Sequence, residues 1–280
     1  MKYVLVRYGN EQESGFKRLM RRMGVYKKYD ICESFISETE GYIFTLPFLE
    51  EEVAEDYDYC FAQAKKGIER IKDEQGDFVL ALPEELRALG GRNGLYTSAL
   101  AAVLNFVKLT ERQDLKYAKV IICGMDIKAV TTVLEGMYGA VNSLCVFAPA
   151  DEGLTRRAKE IFCETGLDII FITNIKSTFF TEADIVINCG MDISGGVNAV
   201  KKGALYICLC GRDNVLNGRE DTQSVDLSRL ILDGEELTAA EAEAVLCART
   251  YAYRNFCTSK YYRDKAERAA KAAERLDLRR

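Results

Sequence analysis

The chain has 280 residues, 48% of them hydrophobic, enough for one large domain or two modest ones with a buried core, which excludes an intrinsically disordered protein. A net charge of −5 and an isoelectric point near 5.2 leave no basic field, which excludes nucleic acid as a primary ligand. No apolar run approaches the roughly 20 residues needed to span a bilayer, and the opening MKYVLVRYGNEQES lacks the apolar stretch of a secretory signal, so a cytoplasmic protein without a membrane partner is expected.

In chain order, YVLVRYG (3–9) reads as a strand, and GFKRLMRRMGVY (15–26) as a helix burying Phe16, Leu19, Met20 and Met23 at i, i+3, i+4 and i+7. EGYIFTLPF (40–48) is a second strand. Tyr57, Phe61, Ala64, Ile68 and Ile71 mark one helical face, and DFVLALP (77–83) is a further strand before a turn at GGRNG (90–94). These elements make a smaller N-terminal α/β domain over residues 1–94. LYTSALAAVLNFVKL (95–109) is a helix leading into a second domain, over 95–235.

There the alternation becomes regular. The strand KVIICG (119–124) precedes a helix over 127–141 with Ala129, Val130, Val133, Leu134 and Met137 at helical spacing. Then come LCVFA (144–148), a helix over 154–166, LDIIFIT (167–173), ADIVINCG (183–190) and GALYICLCG (203–211). Continuous apolar strands separated by amphipathic helices predict a Rossmann-like, doubly wound parallel sheet of at least five strands. Thr238 and Glu241 have capping-box spacing and open an Ala-rich helical segment running towards residue 277, expected to pack back on the N-terminal domain as a long C-terminal helix over 236–280. Its basic end reads as a solvated helix laced with the pairs Asp264–Arg268 and Glu267–Lys271.

The ten cysteines include no Cys-x-x-Cys pair, and Cys123, Cys145, Cys189, Cys208 and Cys247 lie inside apolar segments, where they read as small buried hydrophobes. Histidine is absent, which removes the commonest general base and metal ligand and every Ser-His or Cys-His nucleophile.

Three apolar runs end alike, in Cys-Gly-x-Asp at 123–126, 189–192 and 210–213. In the doubly wound order 3-2-1-4-5 these runs end strands one, four and five, which are neighbours, and ligands bind beyond such carboxyl ends. Each Asp is suited to cap the next helix, and each Gly to a sharp turn or a close approach. A sharper alternative groups Asp126, Asp192 and Asp213 into a cluster for a cation or a positively charged ligand. A soft-metal thiolate cluster of Cys123, Cys189 and Cys210 is a third reading.

The first of these turns also bears on nucleotide binding. A dinucleotide fingerprint needs Gly-x-Gly-x-x-Gly/Ala, and Gly124-Met125-Asp126-Ile127-Lys128-Ala129 keeps the first Gly and the final Ala, so Gly124 and Ala129 are the candidate cofactor-binding residues. Asp126 replaces the second Gly, adding bulk and negative charge where a pyrophosphate would lie. NAD(P) is accordingly disfavoured as a cofactor.

The segments IFTLPFLEE (43–51), GLYTSALAAVL (94–104) and EADIVINCGMD (182–192) resemble, in order, the Val-Thr-x-Pro-x-Lys, Asn-Thr-Asp and Ala-Asp-x-x-x-Asn segments of shikimate dehydrogenases, and VKKGALYICL resembles the strand that follows. The resemblance implies a two-domain fold whose ligand crevice would take Thr45, Thr97, Ser98 and Asn188 as candidates, beside Asp126, Asp192 and Asp213 of the strand-end turns. It also implies a Lys–Asp pair that moves a hydroxyl proton during hydride transfer to NADP. Here the Lys position is Leu49 and the Asp position is Ser98, while the family's Ser-x-Ser contact is reduced to Ser14. No group of suitable pKa stands at either catalytic position, so no catalytic residue is assigned. The reading is a shikimate-dehydrogenase-like protein that has lost the family's reaction and works as a ligand-binding, regulatory or assembly module with a small molecule or protein partner. The alternative is an active NAD(P)-dependent oxidoreductase with a rebuilt site that uses a Lys or Tyr from elsewhere.

Overall fold

The computed structural model describes residues 1–9, 30–110, 114–174, 178–193, 200–209, 222–261, 263–274 and 276–278. The helix expected over 15–26, Ser14, Cys210 and Asp213 lie outside the described residues. The chain is α/β and forms two compact units. Unit 1 takes Met1–Asn93 and Ala240–Arg254, and unit 2 takes Gly94–Ala239 and Asn255–Arg280. No helix among the described residues is long and apolar enough to cross a membrane.

Unit 1 is built on a four-stranded sheet of β1 (Lys2–Arg7), β2 (Asp30–Ile36), β3 (Thr39–Thr45) and β4 (Phe78–Ala81), in the order β2-β3-β1-β4. Strands β3 and β4 run parallel to β1, and β2 runs antiparallel to β3. Between β3 and β4 lie α1 (Glu50–Glu55) and α2 (Tyr57–Gln75), and a 3-10 turn (Glu84–Leu89) follows β4. Val4, Val6, Phe44 and Leu46 form a core with Cys60, Ala64 and Ile71 of α2. The buried stripe of α2 is Cys60, Ala64, Gly67 and Ile71, at i, i+4, i+7 and i+11. It is rotated from the expected face, and Tyr57 remains 44% exposed. Gly67 explains the rotation: a Cβ there would fall 2.2 Å from the ring of Phe44, so the helix rests on the sheet at its glycine.

The opposite face of this sheet carries Tyr3, Leu5 and Arg7 by alternation along β1. Helix α7 (Ala239–Arg249) meets that face at both ends. Glu241 in its first turn pairs with Arg7 at 2.6 Å, and Arg249 in its last donates to Ser37 Oγ at 2.7 Å in the β2–β3 turn.

Unit 2 holds a six-stranded sheet of β5 (Lys119–Gly124), β6 (Ser143–Phe147), β7 (Ile169–Phe171), β8 (Ile185–Cys189), β9 (Leu205–Cys208) and β10 (Gln223–Asp226). Their order is β10-β9-β8-β5-β6-β7, all parallel. This is the doubly wound order expected from the alternation, extended by a sixth strand. Helices α3 (Leu95–Thr110), α4 (Ile127–Met137), α5 (Glu152–Thr165) and α6 (Thr178–Glu182) accompany it. The stripe Ala129, Val130, Val133, Leu134 and Met137 is fully buried, as its spacing predicts. A smaller antiparallel sheet, β12-β11-β13, is made by β11 (Arg229–Leu232), β12 (Glu235–Thr238) and β13 (Leu276–Leu278).

The C-terminal region is helical, as expected, and runs in three pieces, α7, α8 (Tyr251–Thr258) and α9 (Arg263–Ala272). Thr250 makes the first break: its hydroxyl accepts from the N–H of Tyr253 at 3.2 Å, which starts a new helix where the old one ends. The i, i+4 pair formed on α9 is Arg263–Glu267 at 3.3 Å.

At the amino ends of the large sheet Asp184 fastens two strands. It accepts from the N–H of Lys119 at 2.9 Å and pairs with Lys201 at 2.5 Å. Burial alone would raise its pKa, but those two partners bring it below the usual carboxylate value. A depressed folded pKa contributes stability that is present above about pH 4 and is lost as pH falls through the folded value. Asp184→Asn is therefore expected to cost about 0.5–1 kcal/mol at neutral pH, discounted for solvent screening. The gap to wild type should narrow as pH falls below about 4 when urea midpoints are compared across that range.

Candidate functional site

The carboxyl ends of β5 and β8 bring most of the sequence-derived candidates into unit 2. Gly124 ends β5 in register with Cys189 of β8. A Cβ on Gly124 would lie 2.7 Å from Cys189 Cβ, 2.8 Å from Val130 Cγ2 and 3.0 Å from the Cys189 carbonyl oxygen. Close packing of two strands and α4 thus requires this glycine. Met125 follows, 61% exposed at the tip of the turn.

Asp126 is the N-cap of α4, with extended backbone (φ −89°, ψ 107°). Its Oδ1 accepts from the N–H of Ala129 at 2.9 Å, and its Oδ2 accepts from the Tyr96 hydroxyl of α3 at 3.1 Å. A helix N-terminus offers unpaired N–H groups that suit a phosphate. Here the protein's own carboxylate occupies one of them and adds negative charge beside the rest. Ala129, the other candidate cofactor contact, is fully buried.

Lys128, two residues on, turns to the C-terminal end of α8. Its ammonium donates to the carbonyls of Phe256 and Ser259, the second at 3.0 Å, and lies 4.0 Å from the centre of the Tyr96 ring and 4.7 Å from that of Phe256. A cation at the negative end of a helix and over two ring faces is in a favourable field. Sequence reasoning left out Lys128 and Tyr96, and no local signal marks them, because the partners of Lys128 lie about 130 residues away.

Asn188 is fully buried and serves the loop after β8. Its Nδ2 donates to the Met191 carbonyl and the Tyr206 hydroxyl, both at 2.9 Å, while its Oδ1 accepts from the Met191 N–H at 2.8 Å. Asp192 is exposed on that loop. Thr97 and Ser98 are buried in α3, and the Ser98 hydroxyl donates to the Leu227 carbonyl at 2.8 Å. An aliphatic hydroxyl is too weak a base to take up a proton at neutral pH. Thr45 belongs to unit 1, at the end of β3. Leu49, at the start of α1, donates its N–H to Glu52 at 2.9 Å.

The register corrects the thiolate reading. Cys123 pairs with Asn188, and Asn188 with Cys208, so these three share one face, whereas Cys189 pairs with Gly124 on the other. Cys123 and Cys189 therefore point to opposite sides of the sheet. Among the described residues no group of three or more Cys, Asp or Glu is placed to hold a metal ion. The five cysteines expected inside are buried and form no disulfide among the described residues, and burial pushes the Cys145 thiol up to about 11 despite the opposing influence of Lys119.

No family model matches the sequence, and no curated protein matches it significantly. Solved structures of similar shape include aspartate transcarbamoylase from Trypanosoma cruzi in complex with carbamoyl aspartate and phosphate, at 12% identity and a TM-score of 0.36, covering 79% of this chain and 77% of that one. A shikimate 5-dehydrogenase-like protein is 12% identical with a TM-score of 0.33, covering 97% of this chain and 96% of the other. Thermococcus litoralis Δ1-pyrroline-2-carboxylate reductase, in complex with NADH and L-proline, is 12% identical with a TM-score of 0.27, covering 41% and 34%. At these values none bears on what this chain binds or does.

Proposed function

We propose that the chain is a shikimate-dehydrogenase-like Rossmann protein that has given up the family's hydride transfer and acts as a ligand-binding, regulatory or assembly module in the cytoplasm. The observation that carries this reading is Asp126, whose carboxylate caps α4 through Ala129 and Tyr96 where a dinucleotide's pyrophosphate would sit. Two further features support it. Ser98 gives its hydroxyl proton to the Leu227 carbonyl, and Leu49 carries no titratable group, which supports the loss of the implied proton-transfer pair.

The test is a calorimetric titration of the purified protein with NADPH and NADH, beside Asp126→Gly. Wild type is expected not to bind, and the variant, which loses the charge and the cap, to gain binding or remain silent. Micromolar binding by wild type would overturn the reading and restore the alternative of an oxidoreductase with a rebuilt site.

A further inference from the structure

The six-stranded sheet of unit 2 has two edges of opposite character. At one, β10 exposes Gln223, Ser224 and Asp226, the polar surface by which an edge strand avoids further pairing. At the other, β7 lies within LDIIFITN (167–174), where Asp168 is the one charge. The N–H of Ile172 donates to the Val146 carbonyl of β6 at 2.9 Å. Backbone groups alternate in direction along a strand, so those of Ile169 and Phe171 point off the sheet, where no strand meets them among the described residues. Both faces beside this edge are apolar. Ile170 shares a face with Cys145 and with Phe180 of α6, and there Ile170 and Phe179 are each 38% exposed. Phe171, 40% exposed, lies on the opposite face, which α4 and α5 cover. On α5, Arg157 pairs with Glu135 of α4. Phe162 stands about 140° further round the helix, across the buried Ala158 and Ile161, so it turns away from α4 on the side of the β7 edge, 53% exposed.

We propose that β7 pairs with β7 of a second copy of this chain, antiparallel about a twofold axis at Ile170, joining the two six-stranded sheets into one. In this register Ile169 of each copy faces Phe171 of the other, and their outward N–H and C=O groups meet as hydrogen-bonded pairs on either side of the axis. The faces match as well: Phe162 and Phe171 of both copies share one face, Ile170 and Phe179 of both the other. These four side chains expose about 300 Å² per copy, more than a third of the roughly 800 Å² that each partner gives to a stable dimer. Charge favours the same arrangement. Copies with a net charge of −5 repel except across a neutral surface, and antiparallel pairing sets the two Asp168 carboxylates four strand positions apart, about 13 Å and beyond a Debye length at physiological salt. A strand that pairs with itself also closes the assembly at two copies. The contact does not depend on the nucleotide reading, and binding of NADPH by wild type would leave it intact.

Sedimentation velocity of the full-length protein in reducing buffer, from low to high micromolar concentration, is expected to show a monomer–dimer equilibrium. Ile170→Lys sets two ammonium groups against each other on the axis and should raise the dissociation constant roughly tenfold or more, as like charges brought together at an interface do. Phe162→Glu, on an exposed helix surface, should weaken the dimer too, and it carries the same test if Ile170→Lys does not fold. Phe35→Lys alters an exposed aromatic on β2, the edge of the unit 1 sheet, and should leave the dimer unchanged. Ile170→Cys checks the register, because opposed Cα atoms about 4.5 Å apart permit a disulfide. Oxidation of that variant with copper phenanthroline should give a dimer linked through position 170, read by peptide mass spectrometry. A monomer at every concentration, a dimer that the folded Ile170→Lys or Phe162→Glu leaves intact, a dimer that Phe35→Lys breaks, or crosslinks only through Cys32 and Cys163 would overturn the proposal.

Discussion

Gly124→Ala is expected to destabilise the protein by about 2–3 kcal/mol, at the upper end of what overpacking a buried site costs. The added methyl would meet Cys189 Cβ at 2.7 Å, Val130 Cγ2 at 2.8 Å and a backbone carbonyl oxygen at 3.0 Å. None of these is the far end of a flexible chain. Relief needs β5 to part from β8 or α4 to lift, and both strands are buried at the contact. For a protein of this size the loss corresponds to a fall in Tm of roughly 4–12 °C. Cys189→Gly in the same chain should recover part of it by removing the nearest atom. Urea midpoints of the single and double variants check this, and an unchanged midpoint in Gly124→Ala would refute the packing account. The glycine of a nucleotide fingerprint is thus retained here for a reason that needs no nucleotide.

The second large effect is expected at Lys128. Lys128→Met keeps the length of the side chain and removes the ammonium, leaving the carbonyls of Phe256 and Ser259 without that donor and two ring faces without their cation. Hydrogen bonds to charged groups contribute about 1.5–3 kcal/mol, and a loss of about 2 kcal/mol is expected. The change should be local as well as global: amide exchange in residues 255–259 should accelerate while that of β5 changes only with overall stability. Lys128→Arg should fare better than methionine because it keeps the charge. Equal protection of residues 255–259 in wild type and Lys128→Met would show that α8 is held by other means.

Much of unit 2 was legible because its signals are local. The apolar run of β5 and the stripe Ala129–Val130–Val133–Leu134–Met137 each report burial through their own periodicity, and the sheet order follows once parallel strands alternate with helices. The β11–β12 hairpin carries a local signal as well: Asp233-Gly234, both at positive φ, is a favoured two-residue turn, here between Arg229–Leu232 and Glu235–Thr238. The turn joining β2 to β3 had no such signal, since Ser37 and Glu38 adopt φ of 51° and 59° without a glycine and are held by Arg249 from a distant helix. The stripe of α2 was misplaced for a related reason, because Gly67 is chosen by the ring of Phe44 rather than by its own hydrophobicity. At the candidate site, the capping role of Asp126 could be read from its place before a helix. The commitments of Ser98 and Lys128 could not, because each is set by a partner about 130 residues away.

Unit 1 is discontinuous, and this orders events during synthesis. Its sheet is complete by residue 81, but residues 240–254, which bring Glu241 to Arg7 and Arg249 to the Ser37–Glu38 turn, belong to the same compact body. At translation rates of about 5–20 residues per second, roughly ten to thirty seconds separate the exit of the first segment from that of the last. For that interval the nascent sheet lacks the helix that meets its Tyr3–Leu5–Arg7 face, and it is a natural client for a chaperone. A ribosome-stalled chain ending before residue 240 should be digested readily at the sheet, while one released after residue 254 should resist.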